Sequence, residues 1–393
     1  MHPTPNAQDM SYPDVSPGQP PRIVELTRRR PDVRRFLNVA YPIYDGDPHW
    51  VAPLLMDLEK VFTDANPLFQ HAEMGLWVAV QGGRDVGRIA GIVDQHHLQY
   101  HHDGAAFWGF FESVNDPAVS GTLFRTVRDW ARQRGHQRLL GPMNPTTNDE
   151  CGLLIDGFDS PPVFMMTYNP RYYLDLVERA GFQKAKDLVA FYIDLAQCPM
   201  DRLGRIAEKV RARNPQLTFR PVRRRTLRGD LDRVKDVYNS AWAENWGFVP
   251  MTDPEMDFLA SRLKPLFCEG LVWLTEDQGA PVGFLLAIPD YNVAMHPLRG
   301  HLFSPGLFRA LPYLFGWKAP PIARVITLGV KAEHRGRGLE SVMLYEGLQV
   351  GYRLGLRGAE ASWILEDNVA MRRMLGVFGA KVYKTYRLYE GPL

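Results

Sequence analysis

The chain is poor in cysteine and has no long uninterrupted apolar segment. Only 3 of its 393 residues are cysteine, and Cys151, Cys198 and Cys268 stand far apart. This spacing predicts neither a disulfide framework nor a cysteine-based metal site, so we expect no metal and a protein of the reducing cytoplasm. No segment reaches the roughly 20 consecutive apolar residues that a membrane-spanning helix needs.

Neither acidic nor basic residues dominate. The chain has 46 Lys and Arg against 44 Asp and Glu, a formal net charge of +2, which does not predict a nucleic-acid partner. Two short basic runs, at 28–35 and 220–228, are either solvated surface or contacts for an anion such as a lipid headgroup or a ligand phosphate. Residues 1–21 are rich in proline and polar side chains, and we expect a flexible tail, not a signal peptide or anchor.

The remaining chain consists of two halves with the same order of elements. Each half begins with a strand, continues with two helices and a hairpin, and ends with alternating strands and helices. This pattern predicts an α/β protein with two tandem domains, each a mixed, mostly antiparallel sheet with helices on both faces. We expect the domains to span 22–198 and 199–393.

A cationic, glycine-bearing turn, EHRGRGLESV (333–342), separates a predicted strand (324–330) from a predicted long helix (339–355). Unpaired N–H groups and the helix dipole make such a helix start attractive to anions. Its two glycines let the backbone approach a bulky anion, and its two arginines add charge. A pyrophosphate fits this arrangement better than a carboxylate, although the four residues alone are also typical of an exposed basic turn.

In this context the turn resembles the phosphate loop of the GCN5-related N-acetyltransferase (GNAT) superfamily, Arg/Gln-x-x-Gly-x-Gly/Ala. The resemblance implies that the loop binds the pyrophosphate of coenzyme A. It also implies that the preceding strand separates from its neighbour to receive the pantetheine arm of acyl-CoA. The backbone N–H of Val330 is implied to polarise the thioester carbonyl. The implied cofactor-binding residues are Leu328, Gly329, Val330, Arg335, Gly336, Arg337, Gly338, Leu339 and Asn368.

Some positions depart from the family pattern. Glu340 stands where the family has Gly or Ala, and its carboxylate would repel a pyrophosphate unless it turns away or pairs with an arginine. Leu375 replaces a tyrosine that often protonates the leaving thiolate, which leaves water, Tyr383 or Tyr386 as the general acid. The first half has Asp116 at the corresponding turn and no glycine–basic pattern, so we expect one acyl-CoA site per chain.

Acylation of an amine needs a group that takes the amine proton and a donor for the carbonyl oxygen. In this superfamily the turn between the first two helices of a domain borders the acceptor. Here that turn provides Glu244 as a candidate base and Trp246 as a candidate wall, and Glu366 is a second candidate base. The irregular stretch 141–170 is too apolar to be disordered. We expect three of its side chains either to face the acceptor or to have a structural role: Asn148, Asp149 and Glu150.

Three whole-chain motifs are more specific than the superfamily: YPIYDGDPHWVAPL (41–54), GPMNPTTNDECGLLIDGF (141–158) and WAENWGFVP (242–250). They resemble bacterial proteins whose members include ceramide synthases, which transfer a fatty acyl chain from acyl-CoA to the amine of a sphingoid base. The resemblance covers about residues 22–393. It implies an acyl-CoA-dependent N-acyltransferase with a lipid amine as acceptor.

An apolar segment at 302–317 bears on the acceptor and on location. It either packs against its own domain or lies in a membrane interface and shelters an acyl chain, so peripheral contact with the inner membrane is an expectation. Two other functions stay open: acylation of a small soluble amine or peptide, and non-catalytic binding of acyl-CoA. The sequence leaves the oligomeric state open.

Overall fold

A mixed sheet of thirteen strands runs through the part of the chain that is described, residues 20–393 of this computed structural model. The predicted tail lies almost wholly outside the described residues. Two further strands, β6 and β7, pair only with each other. The strands are β1 (Arg22–Leu26), β2 (Ala72–Gln81), β3 (Arg84–Asp94), β4 (Ala105–Ser113), β5 (Arg138–Gly141), β6 (Met143–Asn144), β7 (Glu150–Cys151), β8 (Leu153–Asp156), β9 (Gln183–Asp194), β10 (Leu217–Pro221), β11 (Val272–Asp277), β12 (Ala280–Pro289), β13 (Ile322–Val330), β14 (Gly358–Leu365) and β15 (Lys381–Pro392).

Helices cover both faces of the sheet, as the sequence predicts. They are α1 (Arg30–Asn38), α2 (Ala40–Ile43), α3 (Leu55–Val61), α4 (Gln95–His101), α5 (Pro117–Gln133), α6 (Tyr173–Arg179), α7 (Met200–Arg213), α8 (Leu227–Ala241), α9 (Asp253–Leu263), α10 (Asn292–Met295), α11 (Leu307–Leu314), α12 (Leu339–Arg353) and α13 (Val369–Val377). Short 3-10 turns lie at Pro67–Gln70, Lys264–Leu266, His296–Leu298 and Ala332–His334. The predicted fold class is confirmed.

The two halves of the chain are joined edge to edge because each gives its last strand to the middle of the sheet. The strand order is β1-β2-β3-β4-β5-β15-β9-β14-β13-β12-β11-β10. β9 follows β5 in the chain but pairs with β14 of the second half, and β15 pairs with β5 of the first half. β9 and β15 also pair with each other, in antiparallel orientation. The expected domain boundary at residue 198 stays a prediction. The strands of the two halves form one continuous sheet.

The exchanged strands contribute to the hydrophobic cores of both halves. Side chains alternate between the faces of a strand. On β9, Leu188 and Ala190 belong to the core beneath α1 in the first half, whereas Val189 and Phe191 belong to the core beneath α12 in the second. The two halves therefore bury apolar surface together and are expected to unfold together.

The apolar segment 302–317 includes α11 and lies in the connection from β12 to β13. It packs on the first half, where Leu302, Leu307 and Tyr313 lie with Leu54 around a small core that includes Ala310. Within the described chain, no helix combines the length and apolar character needed to cross a membrane.

Candidate active site

A gap opens between β13 and β14 in the second half. The two strands pair in parallel only at Ile322–Val325 and Gly358–Ala361, after which β13 continues alone beside β12 as far as Val330. At the point of separation Ile326 has no partner on β12, because Leu286 pairs with Thr327 and the next residue pairs with Val325. A bulge of this kind reorients backbone amides and is typical of strands next to active sites.

The backbone of β13 faces this gap with unpaired amides. The N–H of Lys331 donates to the carbonyl of Val282 on β12 over 2.9 Å. Because amides alternate in direction along a strand, those of Leu328 and Val330 face the gap instead. The three residues predicted to contact pantetheine, Leu328, Gly329 and Val330, therefore lie along its open edge. The bulge at Ile326 lies closer than Val330 to the point where β13 and β14 separate. The backbone amides around the bulge are therefore a second candidate for polarising the thioester carbonyl.

Trp242 lies directly against β13 and was missed in the sequence. A Cβ on Gly329 would stand 2.1 Å from the Trp242 ring, so only glycine allows the indole to lie flat on the strand. Trp242 also stacks on Tyr238, with ring centroids 5.1 Å apart. The indole therefore forms one wall of the gap on the face of the sheet that carries α8.

The loop after β13 leads into the N-terminus of α12. Gly336 and Gly338 have positive φ angles of 76° and 83°, which favour glycine. Gly338 is the N-cap residue and provides no side-chain cap, so N–H groups at the helix start are available to an anion, apart from that of Glu340, which lies close to its own carboxyl. Leu339 is fully buried and anchors the turn, while Arg335 and Arg337 are exposed. The predicted phosphate-binding residues therefore lie together.

Glu340, which departs from the family pattern, lies in the first turn of α12. Burial raises the pKa of its carboxyl, while its own backbone N–H and the charge of Arg335 oppose this shift. The carboxyl is therefore close enough to Arg335 for the guanidinium to offset its charge.

Glu244, the first candidate base, is at the surface. Its side chain is 81 % exposed and forms an ion pair of 3.2 Å with Arg335, which also donates to the carbonyl of Ala241 over 2.7 Å. The structure thus brings Glu244 to the phosphate loop, and its role as base stays a prediction. Trp246 is partly buried against the core of the first half. The Lys186 ammonium lies 5.9 Å from the centroid of its ring.

Glu366, the second candidate base, follows β14 directly. It accepts a hydrogen bond from the Lys184 ammonium over 2.6 Å and another from the backbone N–H of Asp187 over 3.1 Å. These contacts hold it against β9. Asn368 accepts a hydrogen bond from the N–H of Met371 over 3.1 Å and so caps α13. Their assigned catalytic and cofactor-binding roles are untested by these contacts.

The general acid is unassigned. Leu375, at the position of the missing tyrosine, is buried in the core of the second half. Tyr386 is fully buried and Tyr383 is partly buried, and burial raises the pKa of both phenols. Both lie on β15, whose residues come from the end of the chain but reach the middle of the sheet.

The motif containing Asn148, Asp149 and Glu150 connects the first half to the turn after α8. Asn148 donates to the carbonyl of Val249 over 3.0 Å and accepts from the Tyr238 hydroxyl over 3.0 Å. Both ends of its amide are therefore used within the protein. Burial raises the pKa of Asp149 to about 6 and also raises the pKa of Glu150. Contact of the three side chains with an acceptor stays a prediction.

A buried ion pair that the sequence did not reveal lies where β13 and β14 separate. Arg324 and Glu360 are directly opposite each other on the two strands, and they are 4 % and 0 % exposed. The Arg324 Nε and a Glu360 carboxyl oxygen are 3.9 Å apart. Burial raises the pKa of Glu360 to about 7, although the charge of Arg324 opposes this. The signal in the sequence was a charged residue inside each of two otherwise apolar strands.

The corresponding gap in the first half is filled by the chain itself. The N–H of Phe110 on β4 donates to the side-chain oxygen of Asn144 over 2.6 Å. A Cβ on Gly109 would come within 1.6 Å of the Met143 carbonyl oxygen, so β6 lies directly against β4. At the helix that follows, Asp116 accepts a hydrogen bond from the N–H of Ala118 over 2.8 Å, which occupies the helix start with a carboxylate.

A histidine cluster joins the two halves at some distance along the chain from this gap. His71 bonds through Nδ1 to Asp94 over 2.9 Å and through Nε2 to Glu255 over 3.0 Å. Its ring also stacks on His96, with centroids 3.7 Å apart. Potential ligand atoms of His71, His96 and Glu255 lie within 4.8 Å of one another. Burial alone would lower the pKa of His71, but the two carboxylates raise it to about 9, and a protonated ring does not bind a metal.

Sequence comparisons agree with this arrangement. The profile of the Acetyltransferase (GNAT) family matches residues 231–379. A protein of Caulobacter vibrioides named "Bacterial ceramide synthase" is 35 % identical over 375 residues, covering 92 % of this chain and 95 % of that protein. "Protein YghO" of Escherichia coli is 33 % identical over 374 residues, covering 91 % and 94 %. The chain belongs to the GNAT family.

A GNAT fold also accounts for both halves. A tandem GNAT protein from the clavulanic acid biosynthesis pathway superposes with a TM-score of 0.57 at 13 % identity, covering 95 % of this chain and 98 % of that one. At that identity the likeness concerns the fold alone. As a GNAT protein the chain is an acyltransferase, and the fold of this family binds acyl-CoA as a co-substrate.

Proposed function

We propose that the protein is an acyl-CoA-dependent N-acyltransferase with one acyl-CoA site, in the gap between β13 and β14. The observation that carries this proposal is the gap itself, lined by the unpaired amides of β13 and leading to an uncapped helix start with two exposed arginines. Amides in an open strand edge suit the amide groups of pantetheine, and the start of α12 suits a pyrophosphate. No metal is needed for attack of an amine on a thioester.

The roles of the individual residues follow from this placement. Gly336, Arg337, Gly338 and Leu339 bind the pyrophosphate with their backbone and with the Arg337 charge, and Arg335 assists them through its contact with the turn after α8. Leu328, Gly329 and Val330 contact pantetheine, and Asn368 closes the far side of the gap. An amide of Val330 or of the bulge at Ile326 donates to the thioester oxygen.

The first half has a supporting role in this proposal. Its own gap holds Met143 and Asn144, and its helix start is capped by Asp116. A second acyl-CoA would have to displace a hydrogen-bonded segment and approach a carboxylate, so binding with a stoichiometry of one per chain is expected.

We propose a long-chain amine, such as a sphingoid base, as the acceptor. The name of the Caulobacter relative supports a ceramide product, and the segment around α11 supports a lipid substrate. Four aromatic side chains of this segment are exposed: Phe303 by 86 %, Phe308 by 80 %, Phe315 by 63 % and Trp317 by 77 %. Exposed aromatic residues of this kind are typical of peripheral contact with a membrane interface, from which a lipid amine could enter.

A basic cluster strengthens the case for an anionic lipid surface. Arg223, Arg225 and Arg228 are exposed beside the end of β10, which pairs with the start of β11. The connection containing α11 leaves the sheet at the same end of the strands, because β12 also ends next to the start of β11. Aromatic and cationic side chains at one end of the sheet suit the interface and headgroups of an anionic membrane.

Incubation with palmitoyl-CoA and sphinganine tests the function. We expect release of free CoA thiol together with N-palmitoyl-sphinganine, detected by mass spectrometry. A panel of soluble amines and acetyl-CoA distinguishes the alternative substrates. Product from acetyl-CoA and a soluble amine alone would contradict the lipid acceptor, whereas tight palmitoyl-CoA binding without amide from any acceptor would favour a non-catalytic binding protein.

A further inference from the structure

The buried pair of Arg324 and Glu360 has no role in the function as proposed so far. It forms the last but one pair of residues in the β13–β14 ladder, immediately before the strands separate. A thioester carbonyl bound at the bulge of Ile326 would lie within two residues of it along β13. Charged side chains are rarely buried without a partner, because each of them loses its contacts with water on burial.

Glu360 is incompletely satisfied by the protein. Among residues 20–393, neither of its carboxyl oxygens has a hydrogen-bond partner, and the same holds for the Nε of Arg324 and the hydroxyl of Ser362. The other nitrogens of Arg324 are occupied. They donate to the carbonyls of Phe164 and Met165 over 2.7 Å each, and to that of Ser362 over 3.3 Å. The guanidinium is therefore held by backbone. The hydroxyls of Ser362 and Tyr383 lie close enough to Glu360 to lower its pKa, but neither completes a hydrogen bond to it, so the carboxyl oxygens are open to another donor.

The charges around the pair favour a cation. Burial raises the pKa of Asp290 to about 6, and both Asp290 and Glu150 lie close enough to Arg324 to feel its charge. Three carboxyl groups thus lie near one guanidinium, and the Lys384 ammonium is close enough to Glu360 for their charges to interact. The titratable groups that face Glu360 itself are Arg324, Asp290, Tyr383, Tyr386 and Lys384.

Glu360 points to the face of the sheet on which Trp242 lies. Arg324 pairs with Ile288 of β12, and Phe284 and Leu286, on the same side of β12, pack in the core beneath α8 with Trp242. Residues that pair across a sheet project to the same face. The carboxyl therefore lies beside the gap on the face opposite α12, away from the helix start that suits the pyrophosphate.

We infer that Glu360 is the catalytic residue that binds the ammonium group of the acceptor and takes its proton, and that Arg324 positions it. The substrate class that follows is a primary amine that enters as a cation. This inference rests on the proposed function, since it needs a bound thioester at the gap.

Each reaction cycle transfers one proton to Glu360, and all atoms and charges are then accounted for. The ammonium gives a proton to the carboxylate, and the neutral amine forms a C–N bond with the thioester carbon. The C–S bond breaks, and the thiolate leaves with the second amine proton. The products are the amide, the thiol of CoA and a protonated Glu360, which releases its proton to solvent before the next cycle. No oxidant, reductant or metal is required.

Replacement of Glu360 by glutamine tests the inference. We expect Glu360→Gln to lower kcat with palmitoyl-CoA and a panel of amines, sphinganine and octadecylamine included, by 10²- to 10⁴-fold. In the wild type kcat/KM should fall as the pH drops below about 7, where Glu360 becomes protonated, and the variant should lack this dependence. Calorimetric affinity for palmitoyl-CoA should remain within about twofold, because the pyrophosphate loop is unchanged.

Asp290→Asn is the matched variant, because Asp290 is also a buried carboxyl beside Arg324. It accepts hydrogen bonds from the backbone of Phe164 and Asn292, and its charge raises the pKa of Glu360. We expect the kcat/KM profile of this variant to retain its acid limb, unlike that of Glu360→Gln, and the limb to lie at lower pH than in the wild type.

The outcomes separate the two proposals. A Glu360→Gln enzyme with wild-type kcat and an unchanged acid limb would overturn the role of Glu360 alone. Wild-type protein that forms no amide with any amine of the panel would overturn the proposed function, and this inference with it. If the glutamine variant does not fold, the Asp290→Asn profile decides: a limb at lower pH supports the role, and an unmoved limb refutes it.

Discussion

His71 links the two halves as a cation between two carboxylates, and this predicts how stability depends on pH. Asp94 belongs to the first half, and Glu255 lies in the first turn of α9 in the second, where it also completes a capping box with Thr252. The His71 side chain is only 9 % exposed, so solvent screens these contacts little. Protonation of His71 therefore stabilises the folded chain more than the unfolded one.

The magnitude follows from the pKa. A folded-state pKa of about 9 lies about 2.5 above the ordinary value of 6.5, which corresponds to about 3 kcal/mol. Because the folded-state pKa is raised, this stabilisation is complete below pH 6.5 and is lost as the pH rises to about 9. Lys384 has the opposite effect in an overlapping range, since burial lowers its pKa from 10.5 to about 8 and favours the folded state at higher pH.

A comparison of variants isolates the contribution of His71. Urea unfolding at pH 6 and pH 9.5 gives the free energy of unfolding of the wild type and of His71→Gln. We expect the variant to be less stable by about 3 kcal/mol at pH 6 and by much less at pH 9.5, while the Lys384 contribution cancels. His96→Gln is the control, because the His96 ring stacks on His71 and the only bond of His96 to Asp94 comes from its backbone N–H, which the substitution keeps.

A destabilisation of equal size at both pH values would refute the electrostatic argument and leave only lost packing. An increase of the wild-type Tm with added Zn²⁺ that His71→Gln abolishes would also contradict it, since the ring would then be a neutral ligand.

Three further results are expected. Arg337→Ala should weaken palmitoyl-CoA binding, measured by calorimetry, about tenfold, because a charge-assisted phosphate contact is lost. Arg353→Ala, at the other end of α12, is the control and should leave the affinity unchanged. Equal affinities of the two variants would contradict the pyrophosphate site. Replacement of Phe315 and Trp317, whose rings stack 5.2 Å apart, by serine should reduce cosedimentation with anionic vesicles several-fold, and unchanged binding would remove α11 from the membrane contact. Deletion of 381–393 should abolish cooperative unfolding of the whole chain, because β15 comes from the second half and pairs with β5, β8 and β9 of the first; a truncated chain with the wild-type Tm would oppose this.

The sequence predicted the parts of the fold that depend on local pattern. The strand before the phosphate loop, the helix after it and the strand 358–365 lie within two residues of where the structure has them, because their periodicity and glycine boundaries are local signals. The exchange of β9 and β15 could not be predicted, since a strand's alternation fixes which side chains face inward but not which strand it pairs with. α11 and the short strands within 141–170 were also missed, as proline and glycine interrupt their patterns.

The candidate site was also only partly predictable from the sequence. The place of the loop Arg335–Leu339 before α12 was predictable because its residues are neighbours in the sequence, and its binding of an anion stays a prediction. Glu360 was not, because in the sequence it is one charged residue in a strand, and its significance comes from Arg324 on another strand and from the point at which the two strands separate. Glu244 was a candidate base because of its place in a turn; it lies at the surface beside Arg335, and its role as base stays a prediction.

The strand exchange gives the first half a structural role that requires no acyl-CoA site of its own. β9 supplies the partner of β14 at the gap, and the segment carrying Phe164 and Met165 supplies the carbonyls that hold Arg324 beside Glu360. Both belong to the first half, so the geometry of the proposed site in the second half depends on them. A second half expressed alone would lose one strand of its sheet and the backbone that orients the ion pair, and it would expose the edge of β14. Both halves therefore shape the gap between β13 and β14, although every residue predicted to bind acyl-CoA lies after residue 327.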